Sequence, residues 1–264
     1  MRLAVVLPPA PVLVPEVARA GSAAAAELAA VRLACREALA PLAAPHGMPA
    51  DHPPGRRAPG DRRSGAVGPT VPALVLVGPG EITRRHSPGS WGTLRGLGVA
   101  VEAPESHDGR DPSLPLSLAL GRLLLDRAGV PGEPVLQEVA ASASAAECLA
   151  LGEGLAGEVG PDAGWVVLGD GSARRSPKGP AAFDPRAEPF DRSVEQALRA
   201  GDAAALARLD ASLAAELLAA GRPAWQVLAG AARLQAPPDR CEVRHAAAPF
   251  GVGYLVATWA RDGG

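Results

Sequence analysis

Gly164-Trp165-Val166-Val167-Leu168-Gly169-Asp170-Gly171-Ser172-Ala173-Arg174-Arg175-Ser176 is the stretch that decides the fold. Residues 165–168 form an unbroken apolar run with two adjacent valines. It is too short for a helix and has the β-branched content of a strand buried on both faces. Gly169 and Gly171 follow, and glycine lets a backbone turn sharply and present its N–H groups. Asp170, Ser172, Arg174 and Arg175 then crowd the place where such a strand ends. In open α/β sheets ligands bind at the carboxyl ends of the strands. One stretch therefore predicts both a sheet and the position of a site.

Working outward, Ala73-Leu74-Val75-Leu76-Val77 repeats the pattern, followed by Gly78-Pro79-Gly80 and then Glu81, Thr83, Arg84 and Arg85. Residues 3–7 read as the first strand and residues 12–16 as an extended loop. Ser22 is a candidate cap for a helix to about residue 42, with Leu28, Val31, Cys35 and Leu39 on one face. Residues 99–101 read as a short strand, 114–128 as a helix and 135–140 as a strand. Ser144 with Glu147 opens a helix through 158 as a capping box. Beyond the opening stretch, 183–191 is a charged connector and Ser193 with Gln196 forms a second capping box. Asp202 and Asp210 cap short helices, and Pro223 suits a first helical turn. Residues 240–245 and 252–258 close the chain as a strand pair. Strand alternating with helix predicts an α/β fold: a single domain over residues 1–264, with a mainly parallel mixed sheet flanked by helices. Residues 44–70, rich in Pro, Gly, Arg and Asp, read as a disordered insertion carrying His46 and His52.

Composition narrows the functions. Hydrophobic residues make up 47% of the chain, enough for a buried core. Aromatics are only 3% and net charge is −2, which argues against nucleic-acid binding by stacking or by a basic surface. Cys35, Cys148 and Cys241 are far apart and form no CxxC pair, so buried free thiols in a cytoplasmic protein are expected. No run approaches a membrane helix, and prolines interrupt the apolar N-terminal segment, so no membrane partner is expected.

For chemistry, the two arginine-bearing loops are the richest places. If their strands are neighbours, Glu81, Thr83, Arg84, Asp170, Ser172, Arg174 and Arg175 converge on a site for a small anion, since guanidinium groups bind carboxylate or phosphate bidentately. Structural ion pairs of these arginines with Glu81, Asp170, Asp184 and Glu188 are the competing reading. Ser172 as a nucleophile with His86 or His245 as base lacks the G-x-S-x-G elbow. A P-loop is absent because no G-K-[ST] follows the glycines. A metal centre would have to use His86, His245 and Glu81 or Asp170, without His-x-His or HExxH spacing. The residues alone therefore assign no catalytic group and no metal ligand.

Several stretches together carry a resemblance: Pro8-Pro9-Ala10-Pro11-Val12-Leu13-Val14-Pro15-Glu16, Thr83-Arg84-Arg85-His86-Ser87-Pro88-Gly89, Gly169-Asp170-Gly171-Ser172-Ala173-Arg174-Arg175-Ser176, Asp184-Pro185-Arg186-Ala187-Glu188-Pro189-Phe190-Asp191, Gly221-Arg222-Pro223-Ala224-Trp225 and Pro249-Phe250-Gly251-Val252-Gly253-Tyr254. The chain resembles the class III extradiol ring-cleavage dioxygenase (LigB-like) superfamily, and more narrowly its actinobacterial branch. The resemblance implies that superfamily's α/β fold. In active members it also implies Fe(II) held by two histidines and a glutamate, with a further histidine as acid/base on a catechol. At the corresponding positions this sequence has Pro9, Gly80 or Glu81, Gly221 and Ala173. The expectation is a degenerate, non-cleaving member without a cofactor that binds a small anionic or aromatic ligand. The alternatives are an oxidoreductase with a non-standard metal site and a structural or partner-binding protein, for instance a homo-oligomer.

Overall fold

The protein is described here by a computed structural model covering residues 1–18, 24–44, 73–104, 107 and 113–262. Four parallel strands form the centre of a seven-stranded sheet. They are β1 (Leu3–Leu7), β2 (Leu74–Gly80), β6 (Val135–Ala140) and β7 (Gly164–Leu168). The order is β3-β6-β2-β7-β1-β9-β8. The two-residue strand β3 (Arg84–Arg85) adds antiparallel to β6 at one edge. The hairpin of β8 (Arg240–Ala247) and β9 (Tyr254–Ala260) adds antiparallel to β1 at the other. The short strands β4 (Gly92–Thr93) and β5 (Glu102–Ala103) pair separately.

Alternation along the strands sorts the core into two layers. Trp165 and Val167 of β7 face one layer, and Val166 and Leu168 face the other. On the second face pack α1 (Ala24–Ala43) and α2 (Leu116–Arg127). On the first face pack α3 (Ala145–Val159), α4 (Ala187–Ala200), the short α5 (Ala203–Ala207) and α6 (Ala211–Glu216), and α7 (Arg222–Arg233). A strand buried on both faces reads as continuous apolar sequence, which is why β2 and β7 look as they do.

Helices α3 and α7 lie nearly backbone to backbone. A methyl group at Gly152 would come 2.0 Å from the carbonyl oxygen of Val227, and one at Gly230 would come 2.1 Å from that of Leu149. Only glycine permits that approach.

Several expected elements take a different form. Residues 11–13 form a 3-10 turn rather than an extended loop, with proline at its first position. The strand expected at 99–101 lies at Glu102–Ala103. The capping box at Ser193 is absent: α4 starts at Ala187, and the Ser193 hydroxyl donates to the Phe190 carbonyl at 2.7 Å inside the helix. A mid-helix serine satisfying itself locally matches the cap pattern in sequence but not in place. The other caps form as expected, with the complete box at Ser144 and Glu147 and with Asp202 and Asp210 accepting first-turn N–H groups. Ser22, His46, His52 and most of the 44–70 insertion lie outside the described residues. Among the described residues, no helix is long and apolar enough to cross a membrane.

Candidate functional site

The chain leaving β1 enters the layer of α1, while the chain leaving β7 enters the opposite layer. Adjacent parallel strands whose exits diverge open a crevice at their carboxyl ends. Asp170 stands there. The Gly169 N–H donates to the Leu7 carbonyl at 2.9 Å, and the Gly171 N–H donates to the Gly253 carbonyl at 2.7 Å, so β1 and the start of β9 frame the turn. From below, Trp225 of α7 presses its indole against Gly169. A methyl there would fall 2.4 Å from Gly221 Cα and 3.0 Å from Trp225 Nε1. The Gly221 N–H donates to the Asp170 carbonyl at 2.8 Å.

Two polar atoms at this crevice lack a hydrogen bond among the described residues: Asp170 Oδ1 and Trp225 Nε1, both buried. A buried polar atom without a partner is costly and rare. Burial pushes the Asp170 carboxyl up to about 7, and the carboxylate of Asp191 adds to the shift. Asp191 is itself raised by burial. The Ser172 N–H at 2.7 Å and Arg175 Nη1 at 2.9 Å work against that rise. Tyr254, at the start of β9, has its hydroxyl pushed up by burial and by Asp170. One acidic group is thus poised near neutral pH beside a second that is anchored. Perturbed acids in a strand-end crevice mark functional sites more often than chance.

The remaining expected site residues are placed as follows. Ser172 is fully buried, donates to the Leu217 carbonyl at 2.8 Å and lies on no open surface, so it does not serve as a nucleophile. The residue after Leu217, Leu218, is held in the left-handed region at φ 55, with its side chain outside. That conformation is strained for a non-glycine residue, and the hydrogen bonds that Ser172 and Ala173 make to the Leu217 carbonyl hold it. Arg174 donates to the carbonyls of Glu216 and Ala182 at 2.7 and 3.0 Å. Arg175 is paired with Asp191.

The β2 loop folds away from this group, although β2 and β7 are neighbours, the condition set for convergence. Arg84 is carried to the sheet edge on β3, where its Nε donates to Glu138 at 3.0 Å and its Nη2 to the Ser113 carbonyl at 3.2 Å. Glu81 contributes its N–H to the same Glu138, and the Thr83 hydroxyl accepts the Ala140 N–H. The two pairs of guanidinium groups therefore do not converge; each closes its own loop. Arg85 makes a bidentate pair with Glu158 at 2.8 Å.

Glu138 is the residue that sequence reading missed. It lies inside a buried strand segment, and nothing near it in sequence marks it. Burial alone would raise its carboxyl, but His86, the Ile82 and Glu81 N–H groups and Arg84 outweigh that and hold it below its usual range.

The alternative metal site fails on topology. His86 follows β3 at one edge of the sheet and bonds Glu138 at 3.0 Å, while His245 sits on β8 at the other edge. At a strand spacing of about 4.8 Å, the five strands between β3 and β8 hold them far beyond any coordination sphere. Pro9, Gly80, Ala173 and Gly221 offer no side-chain ligand, and Glu81 is exposed. Among the described residues, no group of three or more His, Cys, Asp or Glu could hold a metal ion. The donor set at these positions therefore does not fit a two-histidine, one-carboxylate iron centre.

No family model matches the chain, and no curated protein does. Among solved structures, the crystal structure of an uncharacterised protein from Escherichia coli K12 is similar. It has a TM-score of 0.52 at 13% identity and covers 98% of this chain and 100% of that one. At that identity the likeness is one of fold.

Proposed function

We propose that the chain is a non-cleaving protein on an extradiol-dioxygenase-like scaffold that binds a small hydroxyl-bearing aromatic compound at the crevice beside β7. The observation that carries the reading is the buried, unpartnered Oδ1 of Asp170. A carboxyl poised near 7 donates when protonated and accepts when ionised. A phenolic hydroxyl can answer in both states, because it both donates and accepts. An anionic ligand is less well served. The arginines expected to receive it already bond Glu138, Asp191, Glu158 and main-chain carbonyls, and the two acidic groups repel it.

The test is calorimetry of the full chain with phenol, catechol and benzoate. Binding of the two hydroxyl compounds, lost in D170N and kept in R84A, supports the reading. Absence of binding by either, or a preference for benzoate, overturns it. Stoichiometric iron uptake with oxygen consumption on catechol would overturn its non-cleaving part.

A further inference from the structure

A cavity lies away from Asp170, on the face of the sheet covered by α1 and α2. It is a groove of about 340 Å³ between α1, α2 and the chain that follows β1. Leu13, Leu39, Leu123 and Leu124 make an apolar floor, and three arginines, Arg32, Arg36 and Arg127, line it. Among the described residues that line it, none is acidic, in a chain whose net charge is −2. The cluster is therefore not the by-product of a generally basic surface.

The three guanidinium groups are not equivalent. Arg32 donates to the carbonyls of Leu13 and Val12, both at 2.8 Å, and so builds the groove wall. Arg127 is paired with Glu16 through both terminal nitrogens. Arg36 is exposed on α1 and has no partner among the described residues. Small-molecule sites combine this kind of mainly apolar lining with a few placed polar groups, at volumes from roughly 300 Å³ upward. A free guanidinium selects a carboxylate, which it grips with two parallel hydrogen bonds.

We propose that this groove binds a small amphipathic anion, with an aliphatic body on the leucine floor and a carboxylate on Arg36. The site is independent of the reading given for Asp170.

The experiment titrates the full chain with octanoate, 1-octanol and acetate. Octanoate binds one per chain; octanol, lacking the charge, and acetate, lacking the body, bind at least about tenfold more weakly. R36A weakens octanoate by about tenfold and leaves octanol unchanged. A29W, which places an indole in the groove from an exposed position on α1, abolishes both. D170N binds octanoate as the wild type does. Lack of saturable octanoate binding overturns the proposal, and so does equal affinity in R36A or undiminished binding in A29W. Unliganded melting temperatures of R36A and A29W equal to the wild type's confirm that the fold is intact.

Discussion

Glu138 and Asp170 are both acids at the rim of the same sheet, and their surroundings are opposite. Glu138, on β6, takes two main-chain N–H groups, a guanidinium and an imidazole. Asp170, after β7, has no hydrogen bond to its Oδ1 among the described residues and faces another carboxylate. The first is held below its usual range and the second is lifted to about 7. Each sits against a loop of the same recipe of glycines, hydroxyl and paired arginines: Asp170 belongs to the loop after β7, whereas Glu138 is on β6 and receives the loop after β2. What separates the clasped carboxyl from the raised one is the number of donors each receives.

The sharpest way to break this contrast is at Glu138. E138A strips the partner from Arg84, His86 and two N–H groups at once. Urea unfolding is expected to show a loss of about 3–5 kcal/mol, the penalty for orphaning a buried charged network. E138Q, which keeps the shape, should lose less. An E138A protein as stable as wild type would remove the clasp from the account.

Asp170 gives the next effect, with opposite sign. Its folded value near 7 stands above its unfolded value near 3.8, so the folded chain binds the extra proton between them. The contribution is full below about pH 4 and is lost as pH rises through 7, at a slope of up to about 1.4 kcal/mol per pH unit. D170N should flatten that slope in denaturant melts run from pH 4 to 8. An unchanged slope would mean that Asp170 finds a donor in solution.

The smallest effect is expected at Arg85. Its pair with Glu158 has good geometry, but both side chains are about half exposed. R85A should cost about 0.2–1 kcal/mol and lose even that in high salt. A larger loss would make this edge of the sheet an ion-pair network rather than one buried clasp.

Legibility follows the same physics. Strands β1, β2, β6 and β7 could be read because burial on both faces forces unbroken apolar runs, and the helix caps at Ser144, Asp202 and Asp210 because they are local. Strand β3 could not be read: two exposed arginines become a strand only because β6 offers an edge. Asp170 and Ser172 were visible as strand-end residues, but not their fates, since the carbonyl of Leu217 that takes the Ser172 proton lies 45 positions away. Glu138 was hidden for the same reason; its partners come from 52 to 57 residues upstream.

The bare crossing of α3 and α7 also reaches the crevice. Where two helices meet without side chains, their separation is set by the peptide units themselves and has no slack. Helix α7 delivers Trp225 to the underside of Gly169, so the spacing chosen at Gly152 and Gly230 fixes how tightly the floor is shut. A single methyl added at that crossing would act as a wedge driven in from outside, prising up the floor without altering any residue of the rim.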